Sequence, residues 1–267
     1  MELISCLLIT RERPQLVIRA IADFARQDYP AKELIIVCDG KEHRDSINAA
    51  VSSLATHARV TAYERDRYSL GELRNRAIRI AEGNVLCQWD DDDYHHPSRL
   101  RQQYECMRSN GFLACFLSEH LQLMAASGTV YWCDWLRPRE RPQWPAGLPG
   151  TIMCDRRLSI SYPRAGILSE RGEDAVVMSQ LRRSCSIGYV AGTVPLYIYV
   201  THGANTWSES HHRQIPQITG LSSSDLLSRR ERCAYALREH GLHGPIDVVD
   251  YAGQAVFRWL DDELRDA

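Results

Sequence analysis

The amino-acid sequence predicts an α/β fold: a largely parallel sheet covered by helices, then antiparallel additions, then a helical C-terminal tail. Two observations carry this expectation. Short apolar runs alternate three times with segments whose apolar residues recur at helical spacing, which is the rhythm of strand-helix units in a parallel sheet. In the second half the rhythm changes to successive strand-like runs joined by tight turns, as antiparallel pairing allows.

Ile4 to Thr10 is the first apolar run and stops at a charged turn; after Pro14, residues Val17, Ala20, Ile21 and Phe24 recur at helical spacing. Glu33 to Cys38 is the second run, closed by Asp39-Gly40, with Ile47, Ala50, Val51 and Leu54 following as a helix. Val60 to Tyr63, the helix carrying Leu73, Ala77, Ile80 and Ala81, and the strand Asn84 to Gln88 complete the third round. Phe112 to Leu117, Leu121 to Ala126 and Val130 to Trp135 read as strands, with Ser127-Gly128 in one connecting turn. Arg137 to Gly150, rich in Pro, Arg and Trp and without periodicity, reads as a loop that either borders an acceptor pocket or is an inert surface loop. His211-His212 and Ser222-Ser223-Ser224 then precede a mostly helical pattern to Ala267. Residues 1–210 are therefore expected to form one domain, with 211–267 a helical extension packed on it.

With 267 residues, 44% hydrophobic and 25% charged, the chain can bury a substantial core. A net charge of −2 and a pI of about 6.6 give no basic excess, so nucleic acid is not an expected partner. The apolar N-terminal run is too short for a signal peptide, and no segment reaches the length of a transmembrane helix. The expected location is cytoplasmic, with a peripheral position at the inner membrane face left open. Nine cysteines lie mostly in apolar runs without a Cys-x-x-Cys pair, which favours buried thiols over disulfides or structural zinc.

In a sheet of this kind ligands sit beyond the carboxyl ends of the strands, here Thr10-Arg11, Asp39-Gly40 and Asp90 to Asp93. Four adjacent carboxylates repel one another unless a cation intervenes, and hard oxygen ligands suit Mg2+ or Mn2+; an acidic turn capping the helix after Pro97 is the plainer reading. Asp39 can accept a hydrogen bond from a nucleobase N–H or simply close a turn. Arg74, in Leu70-Gly71-Glu72-Leu73-Arg74-Asn75, can face a diphosphate from a helix N-terminus or lie on a solvated face. Asp174, in Gly172-Glu173-Asp174, is either a helix cap or a general base. His202 ends an apolar strand in His202-Gly203-Ala204-Asn205-Thr206-Trp207, where a histidine can ligate a metal or serve structurally.

Taken in order, Thr10-Arg11, Asp39-Gly40, Leu70-Gly71-x-x-Arg74-Asn75, Trp89-Asp90-Asp91-Asp92-Asp93-Tyr94-x-x-Pro97, Gly172-Glu173-Asp174 and the His202 segment resemble the family-2 glycosyltransferases of the GT-A fold. The resemblance covers roughly residues 3–210. It implies a Rossmann-like mixed sheet flanked by helices and a nucleotide-sugar donor, by family preference a UDP-sugar, bound by Thr10, Arg11, Asp39 and Arg74. Counting back from Pro97 aligns Asp90 with the ribose and Asp92 with the metal, Asp91 lying between them in the donor site. His202 would be the remaining protein ligand to Mn2+ or Mg2+, and Asp174 the base of an inverting reaction. A saccharide, a lipid-linked saccharide, a peptide or a small molecule would be the acceptor.

Three rival readings are a nucleotidyltransferase, a retaining sugar transferase on the same fold and a non-catalytic sugar-binding protein. The first favours a glycine-rich, lysine-bearing loop after the first strand, and Thr10-Arg11-Glu12-Arg13-Pro14 has no glycine. In the second, Asp174 would not be the base. In the third, so many clustered carboxylates would be an unnecessary electrostatic cost.

Overall fold

A computed structural model describes residues 1–11, 13–54, 57–140, 147–192, 195–260 and 262–267. In chain order the elements are β1 (Ile4–Thr10), α1 (Pro14–Ala25), β2 (Lys32–Asp39), α2 (Arg44–Ser53), β3 (Ala58–Tyr63), α3 (Leu70–Ile80), β4 (Val85–Gln88), β5 (Tyr94–His95), α4 (Arg99–Ser109), β6 (Ala114–Leu117), β7 (Glu119–Met124) and β8 (Thr129–Asp134). There follow β9 (Met153–Asp155), α5 (Glu173–Ser184), β10 (Ile187–Val190), β11 (Tyr197–Thr201), α6 (Glu209–Thr219), α7 (Ser223–Ser228), α8 (Arg230–Glu239), β12 (Ile246–Val249), β13 (Ala255–Leu260) and β14 (Glu263–Asp266).

These elements sort into two compact units, each with its own sheet. The first comprises Met1–Asp92, Pro97–Phe116 and Leu148–Val190, around a seven-stranded sheet of order β10-β6-β9-β4-β1-β2-β3. β3, β2, β1 and β4 run parallel, in register from Ile4 opposite Lys32 to Thr10 opposite Cys38, whereas β9 is antiparallel to both β4 and β6. The strands are apolar almost throughout because helices cover the sheet: Leu7, Ile35, Val37 and Leu86 pack with Leu73 and Ala77 of α3 and Val177, Met178 and Leu181 of α5.

Local chemistry sets the helices that carry the site. Pro14 opens α1, whose buried stripe is Val17, Ala20, Ile21 and Phe24, and the indole of buried Trp89 donates to the carbonyl of Ala20 at 3.1 Å. That bond pins the residue immediately before the acidic block beneath α1. A reciprocal capping box between Ser69 and Glu72 starts α3, satisfying two orphan N–H groups. A Cβ on Gly71 would lie 2.0 Å from the carbonyl oxygen of Pro163, so only glycine lets α3 approach the segment around Pro163. Asn75 then clasps the same segment, donating to the Tyr162 carbonyl and accepting from the Tyr162 N–H, both at 2.9 Å.

The second unit comprises Asp93–His96, Leu117–Gly147 and Ala191–Ala267, with a seven-stranded sheet of order β14-β13-β12-β8-β7-β11-β5. β7 and β8 form the expected antiparallel hairpin, its turn closed by Gly128 at φ +64°. Trp132, Phe257 and Trp259 are fully buried with Leu226, Leu237 and Val248 in this unit's core. The tail corrects the sequence expectation. It is helical only through Glu239, and β12, β13 and β14 follow. The physical reason is a period of two: Phe257 and Trp259 are buried while Arg258 between them is exposed, a strand pattern that a helical reading of the tail overlooks. Of the Arg137 to Gly150 loop, residues 141–146 lie outside the described residues. Among the described residues no helix is long and apolar enough to cross a membrane.

Candidate active site

Parallel strands deliver Thr10 and Asp39 to the same edge of the first sheet. Asp39 is buried, and its carboxylate accepts from Arg11 Nε at 2.6 Å and from the Asp66 N–H at 2.9 Å. Arg11, half exposed, also pairs with Asp66 at 2.9 Å. A recess next to these residues is lined by Thr10, Arg13, Cys38, Asp39, Gly40 and His43. Gly40 sits at φ +117°, a backbone conformation that glycine adopts without strain.

The four acidic residues after β4 divide their roles. Asp90 accepts from Gln88 Nε2 at 3.1 and 3.0 Å and lies 3.5 Å from an Arg74 nitrogen. Asp91 is buried; it accepts from Thr10 Oγ1 at 2.6 Å and pairs with Arg13 at 2.7 Å. Burial first, then repulsion from Asp92, pushes the Asp91 carboxyl up to about 7, although Arg13 and Thr10 pull the other way. Asp92 pairs with Arg13 at 2.8 Å, and its carbonyl accepts from Arg19. Asp93 belongs to the second unit, where it accepts from the Val200 N–H at 2.7 Å and from the Tyr197 hydroxyl. Its carboxylate thus ties the start of β5 to β11.

Arg74, Asp90, Glu173 and Asp174 form the second cluster in the first unit. Gly172, at φ +79°, is the N-cap of α5 and provides no side-chain cap. Buried Glu173 accepts from Arg74 Nε at 2.9 Å, and the Arg74 guanidinium lies over the Tyr162 ring at 5.6 Å. Burial opposes the Arg74 charge, but Glu173 and Asp90 outweigh it and hold the group firmly protonated. Asp174 accepts from the Ala175 N–H at 2.7 Å. Burial, then the charges of Glu173 and Asp90, push its carboxyl up to about 7 against the pull of Arg74 and of that N–H bond. A carboxyl poised near neutrality is suited to take up a proton.

His202 lies in the second unit just after β11. Its N–H donates to Asn205 Oδ1 at 2.6 Å, while Asn205 Nδ2 donates to the Val200 carbonyl at 3.0 Å, so the asparagine locks the turn. Within the first unit, then, Thr10 meets Asp91, Arg11 meets Asp39, and Arg74 meets Asp90 beside Glu173; His202 is not part of that grouping. Among the described residues no group of three or more His, Cys, Asp or Glu is arranged to hold a metal. The donor set nevertheless fits a hard divalent cation, which takes one or two carboxylates and completes its shell with phosphate and water, because Asp91 and Asp92 place two adjacent carboxylates where a cation, here the Arg13 guanidinium, sits between them.

Sequence reasoning missed Arg13, Arg19, Gln88 and Tyr162. Arg13 had a signal, in standing immediately before the helix-opening Pro14 next to Thr10-Arg11. Tyr162 had none, since its segment lacks periodicity.

The architecture is that of GT-A fold proteins. The family model "Glycosyl transferase family 2" matches residues 5–121 of this chain. A curated relative, the "Putative colanic acid biosynthesis glycosyl transferase WcaA" of Escherichia coli (strain K12), is 34% identical over 148 residues. That alignment takes in 55% of this chain and 48% of the relative, so the chain matches about half of the relative's length. Staphylococcus aureus TarS 1-349 in complex with UDP-GlcNAc superposes with a TM-score of 0.57 at 16% identity, covering 89% of this chain and 72% of that one. The mannosyltransferase PcManGT from Pyrobaculum calidifontis in complex with GDP-Man and Mn2+ gives 0.53 at 13% identity, over 90% and 63%. These two likenesses bear on the fold.

Proposed function

We propose that this chain is a glycosyltransferase that moves a sugar from a nucleotide-sugar, a UDP-sugar, to an acceptor hydroxyl with inversion at the anomeric carbon. The observation that carries the reading is Asp174: a carboxyl pushed up to about 7 at the head of α5, beside the Arg74 and Glu173 pair and within reach of the charge of Asp90. Thr10 and Asp39 line the recess that would receive the nucleoside, Asp39 accepting from the base, with Arg11 paired to Asp39 beside it. Asp90 faces the ribose, and Asp91, bound to Thr10, shapes the same pocket. Arg74 keeps a positive charge at that strand end for the diphosphate.

Asp92 is the residue of the first unit that would hold Mn2+ or Mg2+. When bound, such a cation offsets charge on the leaving diphosphate. Asp174 takes the proton of the attacking hydroxyl on the face opposite the leaving group, and inversion follows from that geometry. The neighbours bound to UDP-GlcNAc and to GDP-Man with Mn2+ support a nucleotide-sugar and a divalent cation, and the preference for UDP rests on the former. The acceptor is a saccharide, a lipid-linked saccharide, a peptide or a small molecule, and the setting is the cytoplasm or the inner membrane face.

The test is incubation with a panel of UDP- and GDP-sugars, with Mn2+ or with chelator, scoring donor hydrolysis and transfer. Cleavage of one donor that needs metal and is lost in Asp92→Ala is expected. No metal-dependent cleavage of any donor would sink the proposal.

A further inference from the structure

Two arginines of α1 and its approach have no role in the reading above, yet both grip the acidic block. Arg13, the residue before Pro14, spans the two carboxylates: one terminal nitrogen lies 2.7 Å from Asp91 Oδ1 and the other 2.8 Å from Asp92 Oδ2. Arg19, further along α1, donates to the Asp92 main-chain carbonyl instead. The side chain of Arg13 is 29% exposed, against 1% for Asp91 and 14% for Asp92. The guanidinium can therefore leave, while the carboxylates stay where they are.

We propose that Arg13 is an exchangeable counter-ion: it neutralises Asp91 and Asp92 before loading, gives up Asp92 when a divalent cation binds there, and then pairs with the anionic donor. Two adjacent carboxylates with little water around them need a positive neighbour, and removing it without a replacement is costly. A guanidinium does not lose its proton in a protein, so Arg13 cannot adapt by neutralisation when a second cation arrives. It has to move. Thr10 holds Asp91 at 2.6 Å and Arg19 holds the main chain of Asp92, so the carboxylates keep their positions through the exchange. A phosphate-bearing ligand is the natural new partner for the freed fork of N–H donors.

The consequence is coupling. Metal alone must displace Arg13 into solvent, whereas metal with nucleotide gives it a new anion, so each ligand should strengthen the binding of the other by the same factor. This inference rests on the metal and donor of the proposed function, but it concerns a residue which that reading leaves without a role.

The experiment measures Mn2+ binding by the electron paramagnetic resonance of free Mn2+, and UDP binding by calorimetry, each ligand alone and with the other. Wild type, Arg13→Gln and Arg13→Lys are compared, with thermal melts as the folding control. Arg13→Gln is expected to bind Mn2+ alone about fivefold tighter or more, and the mutual enhancement by UDP, typically about 5–150-fold in such couplings, should fall toward one. Arg13→Lys keeps the charge but cannot span both carboxylates, so it should fall between the two and serves as the test if Arg13→Gln does not fold. Unchanged or weaker Mn2+ binding in these variants, with wild type binding both ligands, overturns the inference and leaves the proposed function standing. Absence of Mn2+ and UDP binding in all three proteins removes both.

Discussion

Arg74 and Glu173 are 99 positions apart in sequence and form a buried pair, Nε to Oε1 at 2.9 Å. Their side chains are 10% and 3% exposed. This contact joins α3 to the head of α5 and so positions Asp174 next to it. Removing one partner of a buried pair leaves the other charge uncompensated, so Arg74→Ala should destabilise the protein by about 3–5 kcal/mol. Chemical denaturation checks this, and a loss below about 1 kcal/mol, the range of surface pairs, would show that the pair is not a structural anchor.

Asp174 also predicts a pH dependence. Its folded pKa is raised from 3.8 to about 7, so the native state holds a proton that the unfolded chain releases. Its contribution to stability is present in full below the unfolded pKa and is lost as pH rises through about 7. Asparagine does not titrate, so Asp174→Asn should gain stability relative to wild type as pH rises from about 4 to about 7. Parallel melting curves at several pH values measure the difference; a constant difference contradicts the raised pKa. As a base, Asp174 must be ionised, so kcat/KM should climb with pH through about 7 and then level off.

Asp39 separates a nucleobase acceptor from a turn residue. Asp39→Ala should weaken UDP binding by about 1–3 kcal/mol through the loss of a charge-assisted hydrogen bond. Because Arg11 and the Asp66 N–H also lose their acceptor, circular dichroism should accompany the calorimetry. Wild-type UDP affinity in a folded variant would assign Asp39 to the turn alone.

How much of this was legible in the sequence depends on how local the cause is. β1 to β4 and α1 to α3 follow the sequence reading closely, because apolar runs and helical spacing are properties of short windows. The acidic block was legible as a cluster, but its division was not: Asp93 is claimed by Val200, 107 residues away, through a two-residue strand too short to leave a pattern. The link between Arg74 and Glu173 was invisible for the same reason, since each looked like an ordinary helical residue. The strands after Glu239 leave little trace in the sequence because the alternation of Phe257, Arg258 and Trp259 is short and Glu263 to Asp266 holds a single apolar residue, Leu264.

The most direct measurement of the central claim is the rate of sugar transfer to a hydroxyl acceptor by Asp174→Asn, with the donor cleaved in the panel and donor affinity measured alongside. Asparagine caps a helix about as well as aspartate, so the fold should persist. It cannot take the proton, so transfer should fall by about 10²–10⁴-fold while UDP-sugar affinity is unchanged and Glu173→Gln is milder. Transfer in Asp174→Asn above about a tenth of the wild-type rate would contradict the account, because a positioned base contributes more than that.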